Sequence, residues 1–174
     1  MKDYWLAKLI SSVDKVESRK RLQKSVYLLQ RAGCPLQCDY LLHYYGPYSF
    51  ELAGLIDQLG GAGIISEKSE VLGNGVVRYK SAITDKGRKV LESFEKADVG
   101  KQARKQIEPF VLRFKPLVGE DLWVLELAAT VGYYYDCDWE YAKACTATVK
   151  GIHDKNSKQL LEATELAMKY VKGQ

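Results

Sequence analysis

The hydrophobic pattern of this chain changes from helical to strand-like at one place, and that change limits the folds open to it. Residues 64–68 and 76–80 each have the pattern of a short strand, and Gly73, Asn74 and Gly75 lie between them. Because Gly and Asn tolerate positive φ angles, this arrangement is typical of a β-hairpin. On both sides of it, apolar residues recur at helical spacing. The sequence therefore predicts a mainly α protein with a small β-hairpin.

Helices are predicted before and after this hairpin. Ser49 is placed to cap the helix that precedes the hairpin, and Thr84 to cap the helix that follows it. The predicted helices of this half of the chain cover residues 4–13, 17–32, 36–44, 49–59 and 85–97. Three helices followed by a two-stranded wing give the order of a winged helix, a variant of helix-turn-helix. We therefore expect residues 1–97 to form a winged-helix-like domain.

The remaining residues, 98–174, are predicted to form a second domain, a helical bundle. Asp138 is placed to cap one of its helices, and Asn156 or Ser157 to cap the last one. The predicted helices cover residues 98–118, 120–132, 139–149 and 157–172. The second of these is apolar on nearly every side, which indicates burial. The bundle either pairs across a two-fold axis in a homodimer or closes over its own domain, and the sequence leaves both alternatives open.

Composition and charge exclude several classes of protein. The chain has 174 residues, of which 47% are hydrophobic, so it can bury a core. Its net charge of +4 permits a nucleic-acid partner without requiring one. Lys8 interrupts the apolar stretch near residue 1, and the longest apolar run is too short to span a membrane. With four Cys and no secretory pattern, we expect a cytoplasmic protein with free thiols and no membrane partner.

The sequence contains no pattern that indicates catalysis, a metal ion or a cofactor. It lacks the GxSxG and HExxH arrangements, and no Lys-Ser or Lys-Thr pair follows the glycines at 60–63 to make a phosphate loop. The spacing of the four Cys does not suit a zinc site. The acidic residues at 136, 138 and 140 precede a predicted helix, where capping accounts for them. We therefore expect a non-catalytic protein without a metal site or cofactor.

Two segments carry a resemblance to a known family. Residues 21–30 read RLQKSVYLLQ and residues 43–52 read HYYGPYSFEL, with Leu59, Gly63 and Ile64 following. In order and spacing these segments resemble the YwgA-like family of small bacterial proteins, and they are more distantly similar to SocA-like, or Panacea, antitoxin domains. The resemblance covers roughly residues 19–65. It implies a winged-helix-like fold and a regulatory, non-catalytic role on DNA or on a protein partner.

The first functional hypothesis is that basic residues of the second helix and of the wing bind DNA. Phosphate contacts need cations, and the predicted recognition helix over 49–59 contains no Lys or Arg. The cations available lie in the second helix and the wing: Arg19, Lys20, Arg21, Lys24, Lys68, Arg78 and Lys80. We expect these residues to contact the phosphate backbone, or alternatively to form an ordinary solvated face.

The alternative hypothesis is a protein-binding module of antitoxin or adaptor type. Tyr44, Tyr45 and Tyr48 surround a fixed Gly-Pro turn, and Tyr is favoured at protein interfaces. The neighbouring acids Glu51 and Asp57 suit a basic protein better than DNA. The rings can also serve simply to cover the core. A joined basic face would favour DNA, whereas a contiguous exposed Tyr patch would favour a protein partner.

Overall fold

A computed structural model describes residues 1–171, and within them helices predominate over two short antiparallel strand pairs. In chain order the elements are α1 (Lys2–Ser11), α2 (Arg19–Arg31), β1 (Leu41–His43), β2 (Gly46–Tyr48), α3 (Phe50–Gly61), β3 (Ile65–Val71), β4 (Val77–Ile83), α4 (Asp85–Phe94), α5 (Asp98–Gly119), α6 (Leu122–Tyr134), α7 (Trp139–Val149) and α8 (Lys158–Tyr170). The expected fold class, mainly α with a small β-hairpin, is confirmed.

The hairpin predicted around residues 73–75 is the pair β3–β4. Its register runs from Ile65 opposite Ile83 to Val71 opposite Val77, and Gly75 closes the turn with a φ of 79°. Between α1 and α2, Val16 forms an isolated antiparallel bridge to Ser81 of β4, with N–O distances of 2.8 and 3.0 Å. The order α1, bridge, α2, α3, β3, β4 is that of a winged helix, with β1–β2 inserted between α2 and α3.

That insertion corrects one prediction. The helix expected over residues 36–44 is absent, and in its place β1 pairs with β2, Leu41 opposite Tyr48 and His43 opposite Gly46. Gly46 adopts a φ of 86°, the left-handed conformation that lets the chain reverse after Tyr44 and Tyr45. Aromatic side chains of this kind pack well on an extended backbone. The spacing of apolar residues over so short a segment does not distinguish a helix from a strand.

Side-chain caps explain where several helices begin. Ser49, Thr84 and Asp138 each accept a hydrogen bond from a backbone N–H of the helix that they precede, which confirms these three predicted caps. The cap predicted for the last helix is wrong, because Ser157 precedes α8 without a side-chain hydrogen bond to it. The boundaries of α4 and α5 differ from the expected ones, because α4 ends at Phe94 and α5 continues to Gly119. The last helix was expected to reach residue 172, which lies outside the described residues.

The core is built around α2. All the residues of this helix from Leu22 to Leu29 are buried, and α2 packs against α5 and α6 as well as against β2 and β4. In α6, Val124 to Gly132 are all buried, as the apolar pattern predicted. The buried side chains form one cluster that includes Val26 of α2 and Phe114 of α5. The core is thus continuous across the expected domain boundary after residue 97.

None of the helices within residues 1–171 combines the length and the apolar character that crossing a membrane requires.

The contact between α4 and the start of β3 gives a test of this packing. A Cβ atom on Gly87 would lie 2.2 Å from the Ile64 carbonyl oxygen and 2.7 Å from Ile83 Cδ1. Gly87→Ala should therefore lower the free energy of unfolding by about 1–3 kcal/mol, measured by urea denaturation. Gly60→Ala is the matched control, because a Cβ there meets nothing within 4 Å. Equal stability of the two variants would contradict this packing.

Candidate functional site

Two glutamines of α2 hold the segment 38–49, which contains the β1–β2 hairpin. Gln23 donates to the Ser49 carbonyl oxygen at 2.8 Å and accepts from the Ser49 N–H at 2.9 Å. Gln30 makes the same pair of bonds with Cys38, at 2.7 and 2.9 Å. The two side chains are seven residues apart and thus share one face of α2. Each amide bonds to the extended backbone as a neighbouring strand would, so both ends of the segment are fixed.

Lys24 provides a third tie between α2 and the hairpin. Its Nζ donates to the Pro47 carbonyl oxygen at 2.7 Å, and the residue is only 1% exposed. Desolvation lowers the pKa of Lys24 to about 7, and the ammonium groups of Lys150 and Lys20 act in the same direction, against the carboxylate of Glu126. This burial contradicts the expected role of Lys24 as a phosphate contact, because the ammonium group faces the hairpin backbone and not solvent.

Gly46 allows the hairpin to approach α6 closely. A Cβ at this position would lie 2.5 Å from Thr130 Oγ1 of α6 and 3.8 Å from Lys24 Cε. Thr130 in turn donates to the Glu126 carbonyl oxygen at 2.8 Å. The glycine of the YGPYS segment is thus required both for its positive φ and for the absence of a side chain.

Glu126 brings a buried carboxylate to this junction. The residue is 4% exposed, and its Oε1 lies 2.5 Å from Lys150 Nζ while its Oε2 lies 3.4 Å from Lys20 Nζ. Lys150, just after α7, also donates to the Tyr44 carbonyl oxygen at 3.2 Å. We call Lys20, Lys24, Glu126 and Lys150 the lysine–glutamate cluster. It joins α2, α6 and the end of α7 to the turn of the hairpin.

Aromatic rings cover the outer side of the hairpin. Tyr44 is 82% exposed, Tyr45 48% and Phe50 66%. Ring centroids lie 5.0 Å apart for Tyr44 and Tyr45, 5.8 Å for His43 and Tyr48, and 5.1 Å for Tyr48 and Phe50. His43 and Tyr45, 6.5 Å apart, connect the two groups. The five rings, His43, Tyr44, Tyr45, Tyr48 and Phe50, form what we call the aromatic surface. It is contiguous and largely exposed. A contiguous exposed patch of tyrosines is the arrangement expected to favour a protein partner.

Of the cavities that flank the aromatic surface, two are lined by Lys20. One, of about 170 Å³, lies between α2, the hairpin and α3, and its lining includes Arg19, Lys24 and Tyr48. The other, of about 230 Å³, lies between Tyr45 and Trp123 above the lysine–glutamate cluster. We call the second cavity the Tyr45–Trp123 crevice. The Lys20 ammonium lies 3.7 Å from the centroid of the Tyr45 ring, a cation–π contact between the two.

The other cations of α2 that were expected to bind DNA face groups of this chain. Arg19 lies between Asp57, at 2.5 Å, and Glu67, with which it also forms an ion pair. Arg21 donates to the Glu120 carbonyl oxygen at the end of α5. Both guanidinium groups therefore connect elements of the fold, and desolvation lowers the pKa of Arg21.

The wing cations also have partners. Arg78 lies 2.7 Å and Lys80 2.8 Å from the same Glu70 carboxylate, and Lys80 is 3.6 Å from Glu17. These two cations hold the pKa of Glu70 near 2 by hydrogen bonding. Lys68 is exposed on β3. The structure therefore does not join the seven expected DNA contacts into one unopposed basic face.

The two acids of the expected protein interface lie on the exposed side of α3. Lys2 Nζ is 2.5 Å from Glu51 Oε1, and Asp57 pairs with Arg19. Their charge is thus largely offset within the chain. The aromatic surface begins beside them at Phe50 and continues through the three tyrosines of the hairpin.

Several residues that shape this site were not predicted from the sequence. Gln23 and Gln30 carried a usable signal, since a polar side chain repeated after two helical turns next to apolar residues predicts a buried polar contact. Glu126 carried another, as the single acid within an apolar helix. No pattern in the sequence marked Lys150 or Trp123, because only the tertiary fold brings them to the hairpin.

Cys38 belongs to the segment that Gln30 holds, and among the described residues the other three cysteines take no part in the hydrogen bonds of the hairpin. All four are free thiols, with Cys34 and Cys38 buried and Cys137 exposed. Burial raises the pKa of the Cys34 and Cys38 thiols to about 11. Within residues 1–171, no group of three or more His, Cys, Asp or Glu side chains is arranged to hold a metal ion.

Comparison with known proteins supports the resemblance drawn from the two motifs. No family model matches the chain. The chain is 34% identical over 87 residues to "Uncharacterized protein YwgA" of Bacillus subtilis (strain 168), and the match covers 50% of this chain and 52% of that protein. The chain thus spans about half the length of the relative it matches.

The buried ammonium group of Lys24 predicts a specific pH dependence of stability. Because the pKa is about 7 in the folded protein and 10.5 is the ordinary value, the unfolded chain binds more protons between these limits. The free energy of unfolding should therefore rise from about pH 7 to about pH 8.5, by at most about 1.4 kcal/mol per pH unit. Lys24→Met should lose this rise, as measured by urea denaturation across this range.

Lys89→Met, at an exposed position of α4, is the matched control and should keep the pH profile of the wild type. The same slope in wild type and Lys24→Met would show that Lys24 keeps its proton in the folded protein.

Proposed function

We propose that this chain is a non-catalytic protein-binding module whose partner docks on the aromatic surface. The observation that carries the proposal is the contiguity of five rings, of which Tyr44, Tyr45 and Phe50 are largely exposed. Aromatic side chains bury about 150–250 Å² each and dominate the energy of many interfaces. The partner that suits this surface is a protein segment that combines apolar side chains with an acidic one.

The rigidity of the hairpin supports the proposal. Gln23, Lys24 and Gln30 tie its backbone to α2 through five hydrogen bonds of 2.7 to 2.9 Å. A surface that is already ordered loses little conformational entropy on binding. The backbone segment 38–49, which carries four of the five rings, is therefore held in place before any partner arrives.

The charges beside the aromatic surface support an acidic partner. The carboxylates of Glu51 and Asp57 are offset by Lys2 and Arg19, which removes the reason to expect a basic one. On the opposite side of the hairpin, Lys20 and Lys150 share one buried carboxylate. Complementarity of charge steers association and selects among partners.

DNA binding is the second candidate, and the winged-helix order of α1, α2, α3 and β3–β4 favours it. Against it stand the pairing of Arg78 and Lys80 with Glu70 and the burial of Lys24. The exposed side of α3, which corresponds to the recognition helix, presents Glu51 and Asp57 instead of cations. Both carboxylates are paired with cations of this chain, and α3 itself carries no Lys or Arg to donate to a phosphate backbone.

The test of a protein partner begins with photo-crosslinking from position 44 in cells that express the protein. The protein captured there is purified, and its affinity is measured for the wild type and for Tyr44→Ala/Phe50→Ala. Because both side chains are more than 60% exposed, their removal should leave folding intact and weaken binding about tenfold or more. Leu112→Ala on α5, where the side chain is 79% exposed, is the matched control and should bind like the wild type.

The same preparations are tested with random duplex DNA by fluorescence anisotropy at several salt concentrations. A protein that grips the phosphate backbone binds DNA with an affinity that falls steeply as salt is added, and we expect no such binding to DNA here. Micromolar, salt-dependent binding that Arg78→Gln/Lys80→Gln weakens, together with a captured protein that binds the Tyr44→Ala/Phe50→Ala variant normally, would favour DNA as the partner instead.

A further inference from the structure

Positive charge exceeds negative charge in the lysine–glutamate cluster. Within residues 1–171, the charged groups that act on Lys24 are one carboxylate, Glu126, and two ammonium groups, Lys20 and Lys150. Glu126 Oε1 contacts Lys150 at 2.5 Å, and its Oε2 reaches Lys20 only at 3.4 Å. One buried carboxylate therefore faces three amines. The Lys24 and Lys150 side chains are buried with it, and charges removed from water need compensation, whereas the Lys20 side chain is 35% exposed and can reach a group that arrives from solvent.

The amines also have hydrogen-bond donors to spare. A lysine ammonium carries three N–H donors. Within the described part of the chain, Lys24 uses one on Pro47, and Lys150 uses two on Tyr44 and Glu126. The contacts of Lys20 are the long approach to Glu126 and the face of the Tyr45 ring. Lys20 is thus the amine best able to accept a further anion.

The Tyr45–Trp123 crevice leads from solvent to these amines. Its volume of about 230 Å³ is lined by Lys20, Lys150 and Glu126 together with the rings of Tyr44, Tyr45 and Trp123. Of the charged groups, the side chains of Glu126 and Lys150 are buried and that of Lys20 is partly exposed. A water molecule occupies only about 30 Å³ in the liquid, so the crevice is large enough for a carboxylate on a short aliphatic stem. Because Tyr44 and Tyr45 also belong to the aromatic surface, a segment docked there lies across the mouth of the crevice.

We propose that the Tyr45–Trp123 crevice receives the acidic side chain of the docked protein segment, whose carboxylate accepts hydrogen bonds from Lys20 and Lys150. This inference rests on the proposed function and identifies the chemistry of the partner. Charge-assisted hydrogen bonds of this kind are about twice as strong as neutral ones, so the crevice selects segments that place Asp or Glu beside apolar residues.

The charge of the cluster matches a single carboxylate. Lys24 donates to the Pro47 carbonyl oxygen and does not line the crevice. The remaining groups, Lys20 and Lys150 against Glu126, sum to one positive charge. A monovalent anion neutralises this excess, and the partner's side chain replaces water as the acceptor for Lys20.

The test uses the full chain labelled with ¹⁵N and two matched probe peptides, Ac-Leu-Glu-Leu-NH₂ and Ac-Leu-Gln-Leu-NH₂. Binding is followed by NMR through the indole N–H of Trp123 and the amide N–H groups of Tyr45 and Gly46. We expect the glutamate peptide to bind about tenfold more tightly than the glutamine peptide. Lys20→Gln should abolish that preference, whereas Lys20→Arg should retain it.

Lys158→Gln, at an exposed position of α8, is the matched control and should keep the preference of the wild type. The NMR spectrum of each variant shows directly whether it is folded. Acetate is the probe for a free small carboxylate, and we expect it to bind more weakly than the glutamate peptide.

Three results would overturn the inference. The first is the absence of any saturable shift with the glutamate peptide. The second is equal affinity of the two peptides. In that case the proposed function still holds if Tyr44→Ala/Phe50→Ala weakens the binding of both peptides. The third is acetate binding as tightly as the glutamate peptide, which would make the crevice a site for small carboxylates. Loss of partner capture alone would instead contradict the proposed function and leave the crevice as an anion site.

Discussion

The fold depends on the polar side chains that α2 buries against the β1–β2 hairpin. Gln23, Lys24 and Gln30 all donate to backbone carbonyl groups of residues 38–49. A buried polar group left without its partner costs about 1–3 kcal/mol, so α2 can lie in the centre of the core only if an extended backbone runs beside it. The hairpin supplies that backbone, and Gly46 lets it come close enough to reach α6 as well.

The same contact determines where charge lies in the molecule. Lys24 points toward the hairpin. Beside it, Glu126 of α6 pairs with Lys150 and approaches Lys20. Removing one member of a buried ion pair typically costs about 3–5 kcal/mol, because the other charge stays unpaired. The lysine–glutamate cluster thus connects four parts of the chain, α2, the hairpin turn, α6 and the end of α7, while its positive excess faces the Tyr45–Trp123 crevice.

A winged-helix order does not by itself give a DNA-binding surface. Here the wing keeps its register, but two of its cations, Arg78 and Lys80, pair with Glu70, and α3 carries no Lys or Arg where a recognition helix needs donors. The inserted hairpin instead places Tyr44 and Tyr45 at the surface. The element that departs from the winged-helix plan therefore carries the surface proposed to bind a partner, with an acidic side chain as the group that the nearby amines select.

The sequence by itself determined the helices with clear periodicity and caps, among them α3, α4 and α7, as well as the β3–β4 hairpin with its Gly-Asn-Gly turn. These features are local, since caps and turns involve residues a few positions apart. The tertiary structure alone decided that residues 41–48 are strands and that Lys24 is buried. It also alone decided that Lys150 meets Glu126. Each of these depends on contacts between residues far apart in the chain, and a count of charges along the sequence does not show which of them the core will enclose.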